Sequence, residues 1–212
     1  MLNIQEHIPL ARYTTFRIGG PARYFVEVTT KDELEEALEY SKKNGLDFFI
    51  LGGGSNLLVS DQGFNGLVIK MKLGGMKIDG DMIEVEAGVP LAKVVRDSVE
   101  NSLTGLEWAT GIPGTLGGAV RGNAGAYGGE TKDILQEVNV LEISDGKYSL
   151  LNLKSDDCKF GYRDSIFKHR NNLIILSVTL KLTKGSKEES QKKMKEVLAG
   201  RLTWPDPATK LS

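Results

Sequence analysis

Two glycine-rich turns and one arginine hold the residue types that could do chemistry. Gly52-Gly53-Gly54-Ser55-Asn56 follows directly on the apolar run Asp47-Phe-Phe-Ile-Leu51. Successive glycines after a strand let backbone N–H groups converge on an anion, and Ser55 and Asn56 add side-chain donors. The same five residues also suit an ordinary tight turn, with Asn56 favoured for its tolerance of left-handed backbone. The second turn lies in a stretch, Gly105 to Gly129, that contains nine of the chain's 25 glycines. Within it, Gly111-Ile-Pro-Gly114-Thr115-Leu-Gly-Gly118 joins a rigid Ile-Pro step to glycines, so the segment is shaped and not floppy. Asn123-Ala-Gly125-Ala-Tyr-Gly128 uses small residues, which allow a flat ring or a neighbouring helix to come close. Two such nests suit a long ligand with a central diphosphate, while tight packing between elements is the competing explanation. In Phe160-Gly-Tyr162-Arg163-Asp-Ser165, a guanidinium sits among aromatic and apolar neighbours. Arginine is kept in such a place to meet a carboxylate or phosphate, and Asp164 would be the nearest structural partner.

Other chemistries find little support. His7 and His169 have no partner spacing for a metal or a catalytic triad, and no nucleophile–base pair stands out. The single cysteine, Cys158, excludes an internal disulfide, reads as a small buried hydrophobe and suits a reducing compartment. A net charge of −1 offers no basic field for nucleic acid or an anionic membrane. The N-terminus lacks the apolar core of a signal peptide, and no apolar run is long enough to span a bilayer. The expectation is a cytoplasmic protein with no nucleic-acid or membrane partner and no metal.

The elements that must position these turns are read as follows. After a polar lead-in, Arg23–Val28 is a strand. Thr30 and Glu33 have capping-box spacing and open a helix to about Lys43, which Asn44-Gly45 stops. Asp47–Leu51 is a strand, and Leu57–Ser60 is strand-like beyond the first turn. A dinucleotide fingerprint or a P-loop would open a helix there, so neither is present. Strands at 66–71 and 82–86 meet a tight turn at Asp79-Gly80, and Pro90 begins a helix to about Asn101 with Leu91, Val94, Val95, Ser98 and Val99 facing inward. A hairpin at 137–151 turns at 144–146, a long strand covers 172–182, and Ser186 with Glu189 caps a last helix bearing Met194, Val197 and Leu198 on one side. Trp204-Pro205-Asp206-Pro207 ends that helix as a connector. The fold class is α+β, in two lobes divided near residue 71.

Five motifs occur in order: Thr14–Ala22, Leu51–Asn56, Gly105–Ala119, Asn123–Gly128 and Phe160–Ser165. Together, over essentially the whole chain, they resemble the UDP-N-acetylenolpyruvoylglucosamine reductases of bacterial peptidoglycan synthesis, most closely the shorter of two types. The resemblance implies an FAD-binding fold of the PCMH type (vanillyl-alcohol-oxidase-like). Its first lobe would be 1–71, its second 72–203, and 204–212 would lead to a C-terminal substrate-binding domain. Gly52, Gly53, Gly54, Ser55 and Asn56 would hold the diphosphate. Gly114, Thr115, Gly118, Asn123 and Gly125 would line the flavin site, with Arg17 and Ile18 near it. NADPH would reduce the flavin, whose N5 would pass hydride to the enolpyruvyl double bond of the UDP-sugar. Arg163 would stabilise charge developing at the substrate carboxylate, with Tyr162 as a neighbouring contact. The family's pattern continues into a Ser-Ala-Gly-Ser motif whose second serine supplies a proton. The chain stops at Leu211-Ser212, so the expectation is FAD binding with weak or no activity, and an exposed apolar surface near Arg163 that could drive self-association. The alternative is a non-catalytic FAD-binding module that needs a partner.

Overall fold

The computed structural model describes residues 2–202. Its strands are β1 (Gln5–Pro9), β2 (Pro21–Val28), β3 (Phe48–Leu51), β4 (Phe64–Met71), β5 (Met76–Asp79), β6 (Met82–Glu86), β7 (Leu103–Thr104), β8 (Gly125–Ala126), β9 (Gly129–Glu130), β10 (Leu135–Ser144), β11 (Lys147–Lys154), β12 (Leu173–Lys181) and β13 (Thr183–Lys184). Its helices are α1 (Lys31–Lys43), α2 (Leu91–Glu100), α3 (Leu116–Arg121), α4 (Ile166–His169) and α5 (Lys187–Leu202). The connector expected at 204–212 lies outside the described residues.

The first sheet runs β1-β2-β4-β3. β1 is antiparallel to β2, whereas β4 is parallel to both β2 and β3. The polar lead-in is therefore a strand, held as the outer partner of β2. Because β4 lies centrally, it is apolar on both faces. Val26, Val28, Leu67, Ile69 and Met71 bury one face against α1 within the main core, while Ala22, Phe25, Leu51 and Val68 bury the other in a smaller cluster. Thr30 caps α1 by accepting from the Glu33 amide at 3.2 Å, and Glu33 answers to the Thr29 amide and hydroxyl at 2.6 and 2.7 Å, one residue earlier than a reciprocal box.

Parallel pairing of β3 with β4 obliges the chain to leave the end of β3 at Gly52 and travel back to the start of β4. Leu57–Ser60 makes that return journey and is irregular, not a strand. Leu57 and Val59 pack on the smaller cluster. Because the segment's backbone is met among the described residues only at the Ser60 carbonyl, by the Gly20 and Gly63 amides, their alternation with exposed Leu58 does not become a ladder.

The second sheet, β11-β10-β12-β6-β5, is antiparallel throughout. Its two hairpins turn through Gly80 at φ 63° and through Asp145-Gly146 at 50° and 70°, the left-handed pair that a two-residue hairpin requires. α2 buries the five inward residues expected, with Pro90 one position earlier than anticipated, as cap and not as first helical residue. Ser186 accepts from the Glu189 amide ahead of α5 at 3.3 Å, and Met194 and Val197 are half-buried while Leu198 is exposed. Among the described residues, no helix is long and apolar enough to cross a membrane.

Candidate functional site

Both glycine turns meet at the ends of the two sheets. A Cβ on Gly53 would lie 2.5 Å from Gly114 Cα, and the Ser55 hydroxyl donates to the Pro113 carbonyl at 3.1 Å. Gly54, at φ 68°, packs so tightly on Tyr13 that a Cβ would stand 1.8 Å from its carbonyl oxygen. Part of the glycine requirement is thus contact between loops, as the packing explanation holds.

The turns differ in what they offer a ligand. In the first, the Gly52 carbonyl accepts from Lys70 Nζ and the Gly54 carbonyl from the Thr15 amide, while the Gly53 and Ser55 amides donate to no protein acceptor among the described residues. In the second, most N–H groups are already engaged. The Leu116 amide donates to Val89, the Gly117 amide to Ala87, and the Gly118 amide to the Thr115 hydroxyl at 3.4 Å. Thr115 caps α3, a short helix that the sequence reading took for loop. Gly117 is needed there because a Cβ would lie 2.8 Å from that of Ala87.

A cavity of about 680 Å³ opens beside both turns. Gly52, Thr115, Gly117 and Gly118 form one wall with Arg121. Phe48, Phe49 and Ile50 from β3 and Ile174 and Ile175 from β12 form apolar walls. Its volume lies in the ~300–1,000 Å³ range of small-molecule sites. Gly52 and Arg121 on one wall, the unpartnered Gly53 and Ser55 amides on the turn that Gly52 begins, and apolar walls beyond fit a ligand that carries both a diphosphate and aromatic rings.

The remaining predicted residues lie further along. Asn123 is buried at φ 40°, and its side chain is fully engaged: it donates to Glu130 at 2.8 Å and to the Gly161 carbonyl at 2.9 Å, and accepts from the Lys132 amide at 3.1 Å. Gly125 sits in the β8–β9 hairpin, where a Cβ would lie 2.8 Å from Glu130 Cγ. Arg17 and Ile18 are exposed on the turn after Thr14, whose hydroxyl donates to the Ile18 carbonyl at 3.0 Å. Asn56 is exposed beside Ser55.

Arg163 is exposed, has left-handed backbone at φ 55°, and lies 5.9 Å over the ring of Tyr162, itself 87% exposed. No carboxylate lies within 4.0 Å of its guanidinium among the described residues; Asp164 instead takes His169 Nε2 at 2.8 Å, which holds its carboxyl below the usual range. The structural pairing of Arg163 with Asp164 is therefore absent. The loop is anchored from below: Asn123 holds Gly161, Lys168 Nζ donates to the Arg163 carbonyl at 2.5 Å, and the buried Ser165 hydroxyl donates to the Arg121 carbonyl at 2.7 Å. Ser165 sits at the start of α4 but makes no side-chain cap. The arginine loop thus hangs from the C-terminal end of the helix that lines the cavity.

Sequence reasoning missed Lys70, Arg121 and Arg201. Arg201 Nε donates to the Thr110 carbonyl at 2.7 Å and clamps the segment before Gly111. Lys70 and Arg121 carried no motif signal.

Such a site on such a fold defines an FAD-binding domain, and residues 22–151 match the family model described as an FAD binding domain. A UDP-N-acetylenolpyruvoylglucosamine reductase of Caldanaerobacter subterraneus is 42% identical over 190 residues, 89% of this chain and 62% of its own length. One of Clostridium tetani is 38% identical over 95% of this chain and 64% of its own length. The crystal structure of a UDP-N-acetylenolpyruvylglucosamine reductase from Thermus caldophilus superimposes with a TM-score of 0.81 at 34% identity, covering 97% of this chain and 72% of that one. A solvent-stable cholesterol oxidase, at 15% identity and a TM-score of 0.62, shares the fold. The chain belongs to the FAD-binding domain family and, within it, to the UDP-N-acetylenolpyruvoylglucosamine reductases, with the two-lobed α+β architecture of the PCMH type and FAD as cofactor. It spans about 62% of the length of the Caldanaerobacter relative.

Proposed function

We propose that these residues are the FAD-binding part of an NADPH-dependent cytoplasmic reductase that converts UDP-N-acetylglucosamine enolpyruvate to UDP-N-acetylmuramate in peptidoglycan synthesis. Lobes at 1–71 and 72–203 would face one another across the cavity. The observation that carries the reading is the pair of Gly53 and Ser55 amides, unpartnered among the described residues, on the turn whose Gly52 lines a cavity walled by both sheets.

When bound, FAD supplies hydride chemistry, taking hydride from a reduced nicotinamide and delivering it to an alkene carbon. The chain's own groups do the rest. Gly53 and Ser55 donate to the diphosphate, and Arg121 adds charge at the wall it shares with Gly52. The β3 and β12 walls exclude water from the rings. Arg163, exposed and with no carboxylate within 4.0 Å among the described residues, although Glu130 feels its charge, is free to meet the carboxylate of the UDP-sugar substrate and stabilise charge as it builds there. Its left-handed backbone sits in a loop anchored through Gly161, the Arg163 carbonyl and Ser165, so the arginine projects from a fixed base.

A second reading, FAD binding without turnover by these residues alone, is favoured by Ser165. This aliphatic hydroxyl, two residues from Arg163, is buried and committed to the Arg121 carbonyl, so it is not placed to deliver a proton. Adding the enolpyruvyl UDP-sugar to the FAD-loaded chain distinguishes the cases. Substrate should perturb the visible flavin spectrum, Arg163→Met should abolish the perturbation while leaving FAD bound, and a chain that takes up no FAD would overturn both readings. Rapid substrate-dependent NADPH oxidation by the 212 residues would reject the second.

A further inference from the structure

The strongest unassigned feature is a lysine behind the first turn. Lys70 lies near the end of β4, paired with Leu51 of β3 and Glu27 of β2. Its side chain is partly buried, its Nζ donates to the Gly52 carbonyl, and it stands 6.0 Å over the Tyr13 ring. No carboxylate reaches within 4.0 Å of it among the described residues, and Glu27 pairs instead with Lys72 at 3.7 Å. Burial lowers its pKa, Lys72 adds to the fall, and Glu27 opposes it only in part. Holding an ammonium half-buried with no carboxylate close to it is costly, and the hydrogen bond to Gly52 and the Tyr13 ring offset part of that cost.

We propose that Lys70 is a positioning residue for the cofactor diphosphate, fixing the Gly52 carbonyl from behind so that the Gly53 N–H is presented to the anion. The inference rests on reading the cavity as the FAD site. The carbonyl of Gly52 and the N–H of Gly53 belong to one planar trans unit, so fixing the first towards Lys70 turns the second the opposite way. The next peptide repeats the device. Thr15 holds the Gly54 carbonyl, which turns the Ser55 N–H outward. The Tyr13–Thr15 segment is wedged against Gly54, so lysine, tyrosine ring and threonine amide form one brace behind the turn. Charge at the back of the Gly52–Gly53 peptide also polarises it, strengthening the hydrogen bond that its front makes to an anion.

The test compares the wild-type chain with Lys70→Met and Lys70→Arg, reading FAD dissociation constants by fluorescence and the unfolding midpoint of the flavin-free proteins. The brace predicts that Lys70→Met weakens FAD about ten- to hundredfold, the worth of one charge-assisted hydrogen bond, while flavin-free stability is unchanged or raised. Lys70→Arg should recover most of the lost affinity. Wild-type affinity in Lys70→Met, or a fall in affinity matched by a fall in flavin-free stability, would overturn the inference while leaving the FAD site intact. A wild-type chain that binds no FAD would overturn the site itself. Should Lys70→Met not fold, Lys70→Gln, which keeps a donor without the charge, should fold and bind FAD more weakly than wild type; equal affinity would count against the brace.

Discussion

Replacing Gly53 by alanine probes the meeting of the two turns most sharply. The added Cβ would lie 2.5 Å from Gly114 Cα and 3.1 Å from Gly114 C, both backbone atoms that cannot swing aside. Ordinary contact begins near 3.4 Å, so the turns must part by about 0.9 Å. Overpacking of this kind costs about 1–3 kcal/mol in stability. The same movement shifts the Gly53 amide away from the diphosphate, and loss of one hydrogen bond to a charged group is worth about 1.5–3 kcal/mol, or roughly ten- to hundredfold in affinity. Urea unfolding of the flavin-free protein and a fluorescence titration with FAD measure the two effects separately. Gly74→Ala is the control, because its Cβ would meet nothing nearer than the Lys72 carbonyl at 3.6 Å. If Gly53→Ala matched the control in both measurements, the turns would not be in register with each other or with the ligand.

Three further outcomes follow from buried polar groups. Asn123→Ala leaves the Gly161 carbonyl and the Lys132 amide without their partner, and should destabilise the fold by about 2–4 kcal/mol by urea unfolding. Burial pushes the Cys158 thiol up to about 11, so the folded protein should react with a disulfide reagent at neutral pH far more slowly than the urea-unfolded chain. Burial alone would raise the Glu107 carboxyl, but hydrogen bonds from Ser190, Thr104 and the Gly105 amide hold it below its ordinary 4.5. A depressed folded value means that Glu107 contributes stability above about pH 4.5 and loses it as pH falls through the folded value. Glu107→Gln should therefore flatten the acid side of the stability profile.

Legibility in the sequence followed the physics of each element. Strands with one buried face, helices with caps and hairpins with Asp-Gly announce themselves because their signals are local. The Gly52–Asn56 turn was equally visible, as was the reading of Cys158 as a buried hydrophobe. Helix α3 was hidden because Gly117 and Gly118 are poor helix formers; only the demand of the Ala87 side chain for space explains one of them. Leu57–Ser60 misled because alternation without a neighbouring strand looks the same as alternation with one. Lys70 was invisible for a related reason. A lysine between apolar strand residues reads as a solvent-facing position, and nothing local reveals that β4 is buried on both faces. For Asn123 the sequence offers a flavin-lining place; that its side chain also ties two loops together depends on Gly161 and Lys132 and is not legible locally.

The most direct test is a crystal structure of the chain grown with FAD. The account predicts the diphosphate against the Gly53 and Ser55 amides, with oxygens at about 2.9 Å from both nitrogens, and the rings running into the cavity between β3 and β12. FAD bound elsewhere, or both turns closed on each other with the cavity filled by protein side chains, would contradict it.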